Sequence, residues 1–143
     1  ISAIEALHFT EEIREKLLLM STIAGIVIAQ AGTSLPHACG YMPTYEKHIP
    51  HGRANAIFTR AYLELFKDQT KVNRMLKILG FGSLEELNGF FKEVLDAKEE
   101  FTEADVERYT DALMTAPGKL ALHPYPLTRE EIYDMYQKSL LVY

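Results

Sequence analysis

Apolar residues recur at every third or fourth position along nearly the whole chain, and strict apolar–polar alternation never persists beyond four residues. That period predicts helices and leaves room for no more than two short strands. The expected fold class is therefore all-α, with roughly six or seven helices. The opening text, ISAIEAL, reads as helix already in progress. Thr10, followed by Glu11 and Glu12, supplies the next start: a side-chain oxygen for the free amides and acids against the dipole. Ile13, Leu17, Met20, Ala24, Val27 and Ala31 then mark one face, and Gly32 ends the helix. A helix from about His51 to Phe66 is expected to bury Ala54, Ile57, Phe58, Ala61 and Leu65, with Lys67 and Asp68 closing it. A shorter one spans about Gln69 to Leu79, stopped by Gly80-Phe81-Gly82.

Ser83 and Glu86 form a capping-box pattern that opens a helix running to about Lys98. Thr102-Glu103-Ala104-Asp105 repeats such a start, leading to about Thr115 before Ala116-Pro117-Gly118 breaks the run. Thr128-Arg129-Glu130-Glu131 begins the last helix after the turn His123-Pro124-Tyr125-Pro126. No repeat, low-complexity tract or dividing linker is visible, so residues 1–143 read as one helical domain. Ile1 is not an initiator residue, and the chain reads as a piece of a longer protein.

The net charge of -5, with basic residues scattered among acids, excludes the clustered Lys and Arg of a nucleic-acid footprint. Cys39 is the single cysteine, so no intrachain disulfide forms; a reducing cytoplasmic home is expected, with Cys39 a small buried residue. The longest apolar run, Ile23 to Ala29, is too short to span a bilayer, and no membrane partner is expected.

Candidate chemistry centres on His37 and His51 in TSLPHACGYMPTYEKHIPHGRANAI. Leu35-Pro36-His37 puts a proline just inside the start of a short segment, and Pro50-His51-Gly52 puts the second imidazole in the first turn of a new helix. Backbone breaks thus place both rings. A helix N-terminus disfavours imidazolium and favours the neutral ring that binds a cation. Two imidazoles are only part of a catalytic metal site, which usually takes three protein ligands and an open position.

The stretch PHACGYMPTYEKHIPHGRANAI, with STIAGIVIAQAGT before it and LTREEIYDMYQKSL after it, resembles the C-terminal half of the iron-containing (group III) alcohol dehydrogenases. In that family one metal histidine on a helix is followed by a proline-histidine-glycine carrying another. The resemblance implies that His37 and His51 ligate a divalent metal, Fe or Zn. It also implies that the remaining ligands, an aspartate and a histidine one turn apart, precede the matched text; no such pair stands before Thr10, and His8 is not nominated.

The same resemblance implies an NAD(P)-dependent alcohol dehydrogenase acting on a small alcohol or aldehyde. NAD or NADP would sit between this domain and an N-terminal α/β domain absent from the chain, and the parent would be a homodimer. The chain alone is then expected to be inactive. Rival readings are a glycerol-dehydrogenase or dehydroquinate-synthase type of enzyme, and a non-catalytic helical binding module with relic ligands.

Tyr41 falls four residues after His37, so on a helix both side chains point into one cleft. Many relatives carry a second histidine there; Tyr41 departs from that pattern and puts a histidine proton relay in doubt. Its phenol could donate to the substrate oxygen, line the pocket, or simply pack. Thr33, one turn before His37, is a second candidate for the pocket wall or else a helix cap. His48 and His123 read as loop residues. Gly80-Phe81-Gly82 fails as a dinucleotide loop, because no strand precedes it and Glu85 stands where the third glycine belongs.

Overall fold

The computed structural model describes residues 9–95 and 98–142. The ISAIEAL helix and His8 lie outside the described residues. Ten helices and no strand occur among the described residues, as the apolar period requires of an all-α fold. They run α1 (Glu11–Ala31), α2 (Leu35–Cys39), α3 (Tyr41–Lys47), α4 (His51–Ile57), α5 (Thr59–Glu64), α6 (Thr70–Leu79), α7 (Leu84–Leu95), α8 (Glu103–Met114), α9 (Pro117–Leu120) and α10 (Arg129–Leu140). The chain divides into two compact units at Thr33 and Ser34. No single described helix is long and apolar enough to cross a membrane.

Among the described residues the first unit holds α1. Thr10 caps it by accepting from the Ile13 amide at 3.3 Å, and Gly32, at φ 74°, closes it by donating to the Ile28 carbonyl. The face expected to be buried is not: none of its residues is buried, although leucines, isoleucines and valines fill most of the helix from Leu17 onward.

In the second unit, α8 and α10 form the framework. Val106, Tyr109, Thr110 and Leu113 recur at helical spacing on α8, as do Ile132, Met135, Tyr136, Ser139 and Leu140 on α10, and these faces pack together. Leu35, Cys39, Ile57, Phe58 and Ala61 complete the core from α2, α4, the α4–α5 junction and α5. A second cluster, Val72, Leu76 and Leu87, joins α6 to α7. Both framework helices start with complete capping boxes, Thr102 with Asp105 and Thr128 with Glu131. At α7 the pattern is offset by one: the Glu86 amide donates to Ser83 Oγ, but the Glu86 carboxylate accepts its hydrogen bond from the Gly82 amide rather than from Ser83.

More helices appear than the pattern predicts because two stretches break. The expected His51–Phe66 helix is two, divided at Phe58, whose amide bonds the Asn55 carbonyl three residues back. The break turns the Phe58 ring fully into the core against Tyr136, at a centroid distance of 5.3 Å. The helix expected to reach about Lys98 is described over Leu84–Leu95, and residues 96–97 lie outside the described residues. Gly40 separates α2 from α3, and both pack against α4. A Cβ on Gly40 would lie 2.0 Å from Asn55 Oδ1 and 3.3 Å from the Asn55 amide nitrogen, so only glycine lets α4 approach this closely.

Candidate metal and substrate site

α2 carries His37, α3 begins at Tyr41, and α4 begins at His51, so the crossing at Gly40 and Asn55 sets how the three rings meet. The imidazoles of His37 and His51 are 4.7 Å apart between centroids and nearly perpendicular. Rings bound to one ion through nitrogens at about 2.0–2.1 Å have centroids roughly 4.5–5.3 Å apart, so this spacing fits a shared ion. Tyr41 contacts both: edge-on to His37 at 5.0 Å, and stacked on His51 at 5.6 Å with 19° between planes.

Each imidazole is differently supported. Thr44 Oγ1 on α3 lies 3.2 Å from His51 Nδ1, leaving Nε2 as the nitrogen free to turn elsewhere. His37 Nδ1 is buried and has no hydrogen-bond partner among the described residues. An unpaired buried nitrogen costs about 1–3 kcal/mol, which favours a site completed by another group. Burial first, then the neighbouring His51 and the positive charge of Lys119, hold His37 below the usual histidine range. His37 is thereby kept neutral, the form with a lone pair to give.

The donor set is incomplete here. No group of three or more His, Cys, Asp or Glu is arranged to hold a metal among the described residues. Two imidazole nitrogens suit iron or zinc, and the remaining ligands would have to come from outside the described residues.

Beyond Tyr41 a pocket of about 190 Å³ opens between α2, α3, α8, α9 and α10, lined by Ala38, Met42, Tyr109, Leu113, Tyr136 and Lys119 among others. Lys119 Nζ stands 5.8 Å from the Tyr41 ring centroid. Neither Lys119 nor Thr44 was nominated from sequence: α9 brings Lys119 back against α2 across the fold, and a lone threonine seven residues before His51 carries no motif. Thr33 belongs to the first unit, one residue past Gly32, and is part-buried. Cys39 is fully buried, which pushes its thiol up to about 12 and leaves it inert packing, as expected. His48 is exposed, as expected of a loop residue, and caps α3 in the left-handed region at φ 57°.

His123 corrects the sequence reading. It lies in the turn as expected but is not exposed there: it is 5% exposed, boxed by Tyr62, Phe66 and Tyr125 at 5.8, 5.0 and 4.5 Å, with neither ring nitrogen hydrogen-bonded among the described residues. Tyr125 fixes the box by donating to the Leu65 carbonyl and accepting from the Lys67 amide.

The C-terminal model of the Fe-containing alcohol dehydrogenase family matches residues 5–140. The chain belongs to that family. Two crystal structures of iron-containing alcohol dehydrogenases share its fold. One superposes with a TM-score of 0.80 at 33% identity, over 97% of this chain and 38% of its own. The other, from Thermotoga maritima, gives 0.79 at 33% identity over 95% and 37%. A 4-hydroxybutyrate dehydrogenase from Clostridium kluyveri is 28% identical over 145 residues, 89% of this chain and 38% of that protein. A probable alcohol dehydrogenase, EutG, from Salmonella typhimurium is 48% identical over 44 residues, 31% of this chain and 11% of that protein. As an iron-containing alcohol dehydrogenase C-terminal domain, the chain thus spans about two-fifths of the length of such relatives.

Proposed function

We propose that this chain is the metal-site domain of an NAD- or NADP-dependent alcohol dehydrogenase, whose parent interconverts an alcohol and its aldehyde or ketone. The observation that supports the reading is the convergence of His37 and His51 at 4.7 Å with Tyr41 against both rings. A bound Fe or Zn ion would supply Lewis acidity, lowering the proton affinity of an alcohol oxygen. His37 and His51 would hold that ion, and Thr44 would fix the His51 ring through Nδ1. Tyr41, 47% exposed, would present its phenol to the substrate oxygen, while Ala38 and Met42 exclude water from one side. The part Thr33 would play, lining the substrate path, rests on its place one turn before His37 in sequence.

The remaining ligands, the nicotinamide site and an N-terminal α/β domain would come from the rest of a homodimeric, cytoplasmic parent. Small alcohols or aldehydes would be its substrates, and a hydroxy acid like that named for the Clostridium kluyveri relative belongs to the same class.

The test is to assay the full-length parent with alcohols and NAD or NADP after loading with Fe or Zn, beside the isolated chain. Turnover by the parent and none by the chain is expected. Substituting His37→Ala or His51→Ala in the parent should abolish metal retention with little loss of helicity. A parent inert toward every alcohol would favour a binding module instead, and turnover by the chain alone would place the cofactor site within it.

A further inference from the structure

Tyr41 has two neighbourhoods. One side of its ring meets the imidazole pair, and the ring also forms a wall of the pocket that ends at Lys119. A single aromatic ring therefore separates the paired histidines from a half-buried cation. Among the described residues no carboxylate pairs with Lys119. Its Nζ stands 5.8 Å from the centroid of the Tyr41 ring and lines the same pocket, which places the cation beside the candidate site. The remaining walls are largely apolar: Ala38, Met42, Ala112 and Leu113, with Tyr109 and Tyr136 beside them.

We propose that Lys119 forms an anion subsite that receives the carboxylate of a short-chain hydroxy acid, whose reacting oxygen lies at His37 and His51 and whose methylene chain crosses the Tyr41 ring. The inference rests on the alcohol-dehydrogenase reading and names its substrate class. One ammonium on a flexible stem suits a single monovalent carboxylate, whereas a phosphate would call for an arginine fork or several cations. The apolar walls suit methylenes, and the pocket volume of about 190 Å³ suits a small molecule. Charge at the far end would also set orientation, since a substrate entering the other way round would press its carboxylate against the apolar wall.

The experiment compares wild-type, Lys119→Met and Lys119→Arg full-length parent enzymes. The probes are 4-hydroxybutanoate and 5-hydroxypentanoate, each set against the uncharged alcohol of the same length, 1-butanol or 1-pentanol. The quantity read is the ratio of kcat/KM for acid over alcohol. Lys119→Met should collapse that ratio by about 10–100-fold, the loss expected for a charge-assisted hydrogen bond, mainly through KM. Lys119→Arg should restore most of it, and the wild-type ratio should fall with added salt. A ratio that stays within about twofold of wild type in Lys119→Met overturns the proposal, even where both activities drop together. A wild-type enzyme that oxidises the neutral alcohols with no such dependence leaves the dehydrogenase reading standing and the subsite refuted. Turnover of neither class refutes both.

Discussion

The Thr44 hydroxyl lies 3.2 Å from Nδ1 of His51, which makes the two nitrogens of that imidazole inequivalent and ties the start of α4 to the middle of α3. Removing the hydroxyl while keeping the shape should loosen the ring without unfolding the domain. Thr44→Val in the full-length parent is expected to weaken metal retention by about 10–100-fold, the range for lost outer-shell partners, and Thr44→Ser to preserve it. Competition against a chelator, followed by metal analysis, measures this directly. Equal retention by both variants would mean the contact orients nothing.

Gly40→Ala should act on the same pair of rings from the other side. The added methyl would meet Asn55 Oδ1 at 2.0 Å and the Asn55 backbone nitrogen at 3.3 Å, and moving the amide aside does not relieve the backbone contact. Pushing α4 off α2 separates His51 from His37. The expected result is a stability loss of about 1–3 kcal/mol, as for overpacked cores, together with weaker metal retention. Chemical denaturation and metal analysis read the two effects separately, and a variant as stable as wild type would show that the crossing has slack.

Tyr41→Phe keeps the stack on His51 and the edge contact with His37 but deletes the phenol. A hydroxyl that bonds the substrate oxygen contributes about 0.5–1.5 kcal/mol net, so kcat/KM of the parent should drop by up to about tenfold. Identical turnover across the pH range would reduce Tyr41 to a packing residue.

At His123, burial lowers the proton affinity of the imidazole below the ordinary histidine value, with Glu131 opposing more weakly. The unfolded chain therefore binds a proton that the folded one resists. The stability contributed by the neutral ring is complete above about pH 6.5 and is lost as pH falls below that value. Denaturation midpoints at pH 8 and pH 5.5 should differ less in His123→Phe than in wild type. An unchanged difference would show that the ring finds a proton-accepting partner on acidification.

The parts of the fold readable in sequence are those fixed by residues three or four apart. Thr10, Thr102 and Thr128 signalled their helices because a cap needs only its own first turn, and His37 and Tyr41 could be paired because one turn separates them. The pairing of His37 with His51 came from the breaks at proline together with the family resemblance. Distant contacts set the features that escaped. The break at Phe58 is stabilised by Tyr136, the box around His123 is built by Tyr62 and Phe66, and Lys119 reaches Tyr41 only once α9 has folded against α2.

α1 carries a consequence for the chain in solution. Leu18, Leu19, Met20, Ile23, Ile26, Val27 and Ile28 are each more than half exposed, and from Leu17 onward only Ser21, Thr22 and Gln30 interrupt them with polar side chains. A helix so coated in hydrocarbon is sticky in water. Preparations of the isolated 143-residue chain should light up environment-sensitive dyes, elute at sizes that grow with concentration, and become tractable in mild detergent.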